Sequence, residues 1–413
     1  MNLTEFEQEM LDGTHGEPRR YALNQQLAVG RFFGAEDFVE VSQAHLMADG
    51  EAVGEAGLAK LEELVSHGVQ ACRVLVPTVT DPRGVDARAC TRLRQPEHAL
   101  EREDAIASAL SAMGVLLTST CINYQTIVPP VFGQHVAFGD TGSSNYANSV
   151  CGARTNFEGG VAALWAALSG RVPRYGMHLD ERRRGSHLFE LRVEPKTLSD
   201  WGALGALIGR QMGAYWDVPV VTGVTGKPSS DQLKHFAAAV ASYGSTPLFH
   251  MVGVTPEAGS LDNLFPQGAP APVIVNEDAV QAFYESFEFE SGPVDVVVFS
   301  APQLSLFELQ QLASLLDGRQ IHDATTLIAT TSPEIARAAD RMGITDKITG
   351  AGGRLLEGVC FYQMYAREIG INNGWRRLMS NSAKICNILG GYGYQPRLAS
   401  MAECVEAAVQ GGV

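Results

Sequence analysis

Two cysteines stand where a parallel sheet would present ligands for a metal. Cys121 in TSTCINY and Cys360 in EGVCFY each come directly after a short apolar run. In open α/β sheets, ligands bind outside the carboxyl ends of the strands. Thiolates at such positions suit a metal centre, whereas a cysteine that only packs in the core would look the same in the sequence. Both interpretations stay open at this point.

A polar segment, Asp140 to Gly160, reads DTGSSNYANSVCGARTNFEGG and has almost no apolar periodicity. Its residues bury little apolar area, and their polar atoms need partners once inside. The segment therefore indicates a binding site for a polar ligand. Arg154 suits a substrate carboxylate because its guanidinium forms two parallel hydrogen bonds, and the alternative is a structural salt bridge to Glu158. Three neighbours would complete this polar site: Asn148, Ser149 and Thr155.

Several other side chains are candidates for an acid, a base or an anchor. Lys384 in SNSAK would act as a base if burial lowered its pKa, and otherwise as a carboxylate anchor. His250 in HMVGVTPEA is either a base or a neutral core histidine bonded to a backbone carbonyl. The remaining candidates are His45, Tyr124, Asp140 and Ser382. We interpret Asp81 and Arg83 in TDPRGVD as a structural pair that shapes a turn.

The elements that must position these groups alternate between strands and helices. LTEFEQEML, RRYALNQQLAVGRFFG and GEAGLAKLEELVSHG have helical apolar spacing, and Thr4 is the expected N-cap of the first helix. Residues 71–79 and 114–121 are expected to be buried strands, and strand–helix pairs recur after residue 217. This pattern predicts an α/β protein with largely parallel sheets flanked by helices. We divide it into two lobes, residues 1–215 and 216–413.

The composition excludes some classes of function. The 413 residues are 45% hydrophobic and carry a formal net charge of −15, which argues against binding to nucleic acid or to an anionic membrane. The N-terminus lacks the apolar region of a signal peptide, and no apolar stretch is long enough to span a membrane. Seven scattered cysteines do not form a disulfide framework. We expect a cytoplasmic protein.

Six segments, in order over nearly the whole chain, resemble the large chain of the aconitase X family. They are LTEFEQEMLDGTHG, VPTVTDPRGVD, TSTCINY, GDTGSSNYANSVCGARTNFEGGVAALWAALSGRVPRYGMH, HMVGVTPEA and SNSAKICNILGGYGYQPRLASMAECVEAAVQG. The resemblance implies an aconitase-like multi-lobe body and an iron–sulfur dehydratase. It also implies an active site completed by a small swivelling domain, which we expect to be absent here and supplied as a separate subunit.

Two activities are known in this family, the dehydration of cis-3-hydroxy-L-proline and that of mevalonate 5-phosphate. The polar segment resembles the hydroxyproline branch more closely, and no basic cluster or glycine-rich helix start suggests a phosphate site. We therefore expect a hydro-lyase that converts cis-3-hydroxy-L-proline to pyrroline-2-carboxylate. The alternatives are a mevalonate 5-phosphate dehydratase and a binding or regulatory homologue without a cluster.

The resemblance also implies that Cys121 and Cys360 are ligands of the cluster. A third ligand is expected in a GCPH turn after the strand VDVVVF, but this chain reads SAPQ, with Ala301 in the cysteine position and Gln303 in the histidine position. Because alanine cannot bind iron, either Cys151 substitutes, or the cluster is smaller, or it has been lost. The expected cofactor is thus an iron–sulfur cluster of unspecified type.

Overall fold

The computed structural model describes residues 1–287, 289 and 291–413. In this part of the chain the strands are β1 Phe38–Glu40, β2 Ala44–Leu46, β3 Thr78–Thr80, β4 Ala137–Phe138, β5 Arg171–Pro173, β6 His187–Arg192, β7 Pro219–Thr222, β8 His250–Met251, β9 Val273–Asn276, β10 Val296–Leu304, β11 Thr326–Thr331, β12 Arg354–Glu357, β13 Arg377–Ser380 and β14 Gln395–Leu398.

The helices, also numbered in chain order, are α1 Glu5–Leu11, α2 Glu17–Phe33, α3 Gly50–Ser66, α4 Val69–Cys72, α5 Cys90–Leu93, α6 Glu97–Ala112, α7 Asn123–Thr126, α8 Thr141–Ser149, α9 Ala162–Ser169, α10 Leu198–Gly209, α11 Ser230–Gly244, α12 Leu261–Leu264, α13 Glu277–Glu285, α14 Leu306–Leu315, α15 Pro333–Arg341, α16 Ile344–Gly350, α17 Ala366–Asn373, α18 Ala383–Gly390 and α19 Met401–Gln410. Short 3₁₀ helices lie at Gly176–His178, Asp180–Arg183 and Phe361–Gln363.

Most strands belong to parallel sheets, which confirms the predicted α/β class. The three parallel sheets have the strand orders β3-β2-β4, β8-β7-β6-β9 and β12-β11-β10-β13-β14, and β1 pairs with β5 in an antiparallel ribbon. β10 is the central strand of the largest sheet, and all of its residues are buried. A parallel strand covered on both faces requires such an apolar run, which VVVF provides.

Helix boundaries follow the capping signals in the sequence. Thr4 begins α1 with a capping box to Glu7, and Gly34 ends α2 in the left-handed conformation at φ 71°. The helix α11, central to the site described below, begins with a capping box between Ser229 and Gln232. Each box satisfies backbone N–H groups that a helix start would otherwise leave unpaired.

The two strands expected at 71–79 and 114–121 are largely wrong. Residues Val69–Cys72 form a helical turn, only Thr78–Thr80 is a strand, and residues 114–121 contribute a single bridge. In the second segment, the Thr118 hydroxyl accepts from the N–H of Thr80 and donates to its carbonyl, at 3.2 and 3.0 Å. The Thr118 side chain thus bonds the backbone groups of Thr80 that the backbone of a neighbouring strand would otherwise bond. The next residue, Ser119, turns into the left-handed region at φ 50°.

The boundary between the two predicted lobes falls inside a sheet. β6 lies before residue 215 and β7 after it, and the two strands pair in parallel. The second parallel sheet therefore draws on both sides of that boundary, and the two-lobe division stays a prediction.

Helices α10 and α11 pack closely because small residues line their contact. A Cβ atom added to Gly205 would lie 2.4 Å from the carbonyl oxygen of Phe236 and 3.1 Å from the Cβ of Ala239. The backbone of α11 thus occupies the space that any larger residue at position 205 would need. α11 in turn packs against α8 and α18, which carry functional side chains, so this spacing helps to fix the site.

We predict that Gly205→Ala lowers the free energy of unfolding by about 1–3 kcal/mol, because the added methyl group overpacks a backbone contact. Gly390→Ala is the matched control: position 390 also lies in a helix, but a Cβ there meets no atom within 4 Å, so this variant should be neutral or stabilised by about 0.4–1 kcal/mol. Denaturant unfolding of both variants measures the difference. Equal stability of the two would contradict the proposed packing constraint.

Candidate functional site

Two buried thiols flank the carboxyl end of β10. Ser300 Oγ lies 3.4 Å from Cys360 Sγ, and the backbone N–H of Gln303 donates to Cys121 Sγ at 3.4 Å. Burial raises the pKa of Cys360 to about 12 and that of Cys121 well above its ordinary value. Both side chains are therefore neutral thiols in this protein environment, and residues 300–303 lie between them.

The part of β10 around Ala301, where the strand register shifts and φ is 49°, is held by hydrogen bonds from neighbouring elements. The Ala301 carbonyl accepts from the Ser382 hydroxyl at 2.6 Å. The side-chain amide of Gln303 donates to three carbonyls, those of Ser119, Thr331 and Val359, at 3.2, 3.3 and 3.1 Å. Gln303, in the position expected for a histidine, thus connects three chain segments at the carboxyl end of β10.

The thiols alone do not make up the donor set of the implied cluster. Ala301 places a methyl group between the residues that contact the two thiols, and the described residues include no group of three or more His, Cys, Asp or Glu side chains arranged to bind a metal. Cys151 follows α8, is partly buried and has its pKa raised to about 11 by burial. The residues present therefore do not fit a cluster held by three or more protein thiolates.

An ion pair lies beside the thiols. Lys384 Nζ is 3.3 Å from Asp140 Oδ1, and both side chains are more than 90% buried. Asp140 caps α8 by accepting from the N–H of Ser143 at 2.7 Å, and Ser382 caps α18, in which Lys384 is the second residue. Two helix starts therefore bring the carboxylate and the ammonium together.

Both members of this pair are charged. Burial by itself raises the pKa of Asp140, but Lys384 and the Ser143 N–H outweigh it and hold the pKa below the ordinary value. Burial likewise disfavours the ammonium, but the charge of Asp140 outweighs it and keeps the pKa of Lys384 above its ordinary value. This direction is opposite to the lowered pKa that a lysine base would need, so it favours the anchor role for Lys384.

Sequence reasoning missed a second carboxylate at this site. Asp81, which we interpreted as structural, follows β3 and is fully buried. Its Oδ2 accepts from the Gln363 amide at 2.9 Å, and the same amide donates to Asp49 at 3.1 Å. His45 Nε2 lies 2.9 Å from the Thr120 carbonyl and 3.5 Å from Asp81 Oδ1. The position of Asp81 directly after the strand TVT was the signal that could have identified it.

A buried network of charged side chains also holds the part of β10 around Ala301. Lys234 on α11 donates to the Gln303 carbonyl at 3.1 Å and to Glu308, which also contacts His235 Nε2 at 2.8 Å. Burial opposes the charge on Glu308, but Lys234 and His235 outweigh it and lower its pKa to about 2. The network fixes α11, α14 and the end of β10 relative to one another.

Arg154 and His250 lie apart from this site. The guanidinium of Arg154 donates to the His178 carbonyl and forms an ion pair with the exposed Asp180, rather than with Glu158. His250 Nε2 lies 2.6 Å from the Arg183 carbonyl, and burial lowers its pKa. His250 therefore has the environment of a neutral core histidine. The substrate-binding role of Arg154 and the catalytic role of His250 stay predictions.

The polar segment contains the buried helix α8, and several side chains of the segment bond to neighbouring backbone. Asn148 donates to the carbonyls of Thr155 and Pro247, the Ser149 hydroxyl accepts from the Phe249 N–H, and the Thr155 hydroxyl accepts from the Phe138 N–H. Small polar residues allow this close approach while satisfying backbone groups. The composition of the segment is thus explained by packing, and its roles in substrate binding stay predictions.

Tyr124 is the remaining sequence candidate. Its ring stacks on that of Tyr146, with centroids 4.0 Å apart. Burial raises its pKa well above the ordinary value, and the charge of Cys121 would raise it further. Tyr124 thus lies near one thiol as a neutral phenol, and its catalytic role stays a prediction.

We predict that Ala301→Cys increases iron and sulfide binding several-fold over wild type after anaerobic reconstitution, because it adds a third thiol between two existing ones. The triple variant Ala301→Cys, Cys121→Ser and Cys360→Ser serves as the control and should lose the gain. Iron and sulfide analysis with visible absorption measures the result. Equal loading of the wild-type protein and Ala301→Cys would show that position 301 does not limit cluster binding.

The comparisons with known proteins agree with this architecture. None of the helices in the described part of the chain is long and apolar enough to cross a membrane. A solved structure of aconitase X from Thermococcus kodakaraensis, in its holo-form, superposes with a TM-score of 0.88 at 28% identity, covering 99% of this chain and 100% of that one. The aconitase-like fold implied by the sequence is confirmed.

Two groups of curated relatives are similar to the chain. The phosphomevalonate dehydratase large subunit of Methanothermobacter thermautotrophicus is 36% identical over 390 residues, which cover 94% of each chain. The cis-3-hydroxy-L-proline dehydratase of Pseudomonas aeruginosa is 33% identical over 415 residues, which cover 99% of this chain but 70% of that protein. The two levels of identity are similar, so they do not separate the two substrates.

Family models cover nearly the entire chain. The models described as Aconitase X first, second and third domain match residues 1–181, 185–285 and 294–410, respectively. Taken with the relative of 36% identity, these matches show that the chain belongs to the aconitase X family.

Proposed function

We propose that the protein is a hydro-lyase that removes water from cis-3-hydroxy-L-proline to give pyrroline-2-carboxylate. The similarity to proteins named as dehydratases supports the class of reaction. Four relatives named large subunit, each covered by this chain over 94% or more of its length, support a role as the large chain of a two-chain enzyme. The partner would be the small swivelling subunit, and we expect both chains in the cytoplasm.

The observation that carries the substrate proposal is the charge around the thiols. Lys384 is the cation whose charge acts on Cys360, and the carboxyl groups of Asp81 and Asp140 act on both residues. One ammonium among several carboxyl groups suits a zwitterion with a single carboxylate and a protonated amine. A substrate that carries a phosphate as well as a carboxylate would need more cations.

Within this proposal, Lys384 binds the substrate carboxylate and Asp140 keeps Lys384 charged and in place. As the α-hydrogen leaves, negative charge spreads onto the substrate carboxylate, and the ammonium stabilises it. In cis-3-hydroxy-L-proline the hydroxyl and the carboxylate share one ring face, so the α-hydrogen lies on the opposite face and elimination runs anti. Loss of water gives an enamine, which tautomerises to the cyclic imine.

Membership of the aconitase superfamily suggests an iron–sulfur cluster, which would polarise the leaving hydroxyl as a Lewis acid. Cys121 and Cys360 are the side chains that we propose as its ligands, with Cys151 as the candidate replacement. The residues at the site do not fit a cluster held by three or more protein thiolates. The roles of Lys384 and Asp140 are therefore derived without the cluster.

A second candidate function is the dehydration of mevalonate 5-phosphate. The relative of 36% identity bears that name, as do four other curated relatives. Ala301 supports a third candidate, a homologue that binds a ligand without a cluster and without turnover. A substrate panel with the two-chain complex separates the three.

We predict that the complex dehydrates cis-3-hydroxy-L-proline and that Lys384→Met lowers kcat/KM by at least about a hundredfold, because an anchoring charge is lost. Arg154→Met tests the arginine that the sequence suggested for the substrate carboxylate. Because Arg154 pairs with Asp180, this variant should change kcat/KM much less. Imine formation is assayed beside loss of water from mevalonate 5-phosphate.

The double variant Lys384→Met with Asp140→Asn removes both charges and so controls for an unpaired buried carboxylate, with thermal unfolding as the readout. A large loss of kcat/KM in Arg154→Met, with Lys384→Met near wild type, would reverse the two assignments. Turnover of mevalonate 5-phosphate alone would establish the second candidate.

A further inference from the structure

The buried carboxyl group of Asp81 has one oxygen without a hydrogen bond to any residue that the structure describes. Oδ2 accepts from the Gln363 amide at 2.9 Å, whereas Oδ1 is the unbonded oxygen. His45 Nε2 is 3.5 Å from Oδ1 but lies 2.9 Å from the Thr120 carbonyl, with which it is bonded. A buried acceptor is normally paired, so an unpaired one indicates a group that awaits a ligand or a proton.

Asp81 and Asp140 share the site but have opposite environments. Asp140 accepts from Lys384, from the Ser143 N–H and from the Ser143 hydroxyl. Asp81 accepts from one neutral amide, which is shared with Asp49. Desolvation and the charge of Asp140 raise the pKa of Asp81 well above its ordinary value, whereas the pKa of Asp140 is lowered. Two carboxyl groups separated in this way suit different roles in proton transfer.

A small cavity reaches Asp81. Its volume is about 120 Å³, and its lining includes Thr80, Asp81, Arg83, Glu103 and Ser119. The charges of Asp140 and Lys384 both act on the carboxyl group of Asp81, so these three groups belong to one site. A compact substrate that binds Lys384 would be bound next to Asp81.

We propose that Asp81 is the catalytic base, and that its free Oδ1 takes the proton from the carbon next to the substrate carboxylate. The C–H bond breaks and an O–H bond forms on Asp81, while the electron pair of the C–H bond forms the double bond to the neighbouring carbon. The C–O bond at that carbon breaks, and the hydroxyl leaves as water with a proton from the solvent. Asp81 then returns its proton to solvent, so the products are the alkene and one water.

This inference rests on the proposed dehydratase function but not on the choice of substrate. Both cis-3-hydroxy-L-proline and mevalonate 5-phosphate carry a hydrogen next to a carboxylate and a hydroxyl one carbon further on. The base would be the same for either molecule.

The proposal predicts the direction of the pH dependence. Several titratable or charged groups lie near Asp81: His45, Asp49, Cys121, Asp140, Cys360, Tyr362 and Lys384, together with Arg83 and Glu103 in the lining of the same cavity. The neighbouring acids favour the protonated form of Asp81, and Lys384 favours the ionised form. Because the base must be ionised, kcat/KM should fall as the pH is lowered, with the midpoint above the ordinary range of an aspartate.

The test uses the two-chain complex and follows two reactions, dehydration and the loss of deuterium to solvent from C2-deuterated L-proline and C2-deuterated mevalonate 5-phosphate. L-proline has no hydroxyl to lose, so its exchange reports the base without dehydration. In Asp81→Asn, we expect both exchange and kcat to fall by about 10²–10⁴-fold with KM changed little. Asp81→Glu should recover part of both rates, and Asp104→Asn, which changes an exposed carboxylate, should match wild type.

The outcomes separate the two proposals. Wild-type exchange without dehydration of either substrate would overturn the proposed function and leave Asp81 as a base. Wild-type exchange rates in Asp81→Asn, an acid limb of the pH profile that persists in this variant, or the absence of exchange in the wild-type complex would each overturn the role of Asp81. If Asp81→Asn unfolds, Asp81→Glu is compared with wild type instead. A pH profile of Asp81→Glu identical to that of wild type would also overturn the proposal.

Discussion

The buried ion pair between Lys384 and Asp140 is the interaction on which the arrangement of the site depends. The two residues are 244 positions apart, and each lies at the start of a helix. Neither charge could be left alone in the interior, since breaking one side of a buried pair costs about 3–5 kcal/mol. The pair therefore requires α8 and α18 to meet in register, and α11, which packs on both, sets the distance between them.

Much of the fold could be predicted from the sequence because its signals are local. Capping residues such as Thr4 and Ser229, and apolar runs such as VVVF in β10, act within a few residues of their own position. The strand expected at 114–121 was wrong because a threonine side chain there replaces a backbone ladder, and the one expected at 71–79 is shortened to Thr78–Thr80 after a helical turn at Val69–Cys72. The apolar content of a segment cannot reveal that a side chain replaces backbone hydrogen bonds, since this replacement depends on the geometry of one hydroxyl.

The site was harder to predict than the fold, because burial and partners decide what a polar residue does. Cys121, Cys360, Asp140, Ser382 and Lys384 were identified as candidates, and they lie around the end of β10. The ligand-binding role of the 140–160 segment stays a prediction, since helix α8 uses several of its polar atoms to bond neighbouring backbone. Asp81 was missed because its importance lies in an oxygen with no partner, which only the surroundings can show.

The amide of Gln303 joins segments that lie far apart along the chain, with sequence separations of 184 residues to Ser119, 28 to Thr331 and 56 to Val359. Contacts at such separations form late in folding, because the intervening loops must close first. During synthesis on the ribosome, the first two-thirds of the protein would emerge without this connection. The reactive groups would then come together only once the last helices have been made, so an incomplete chain would contain the thiols and carboxylates but no organised centre.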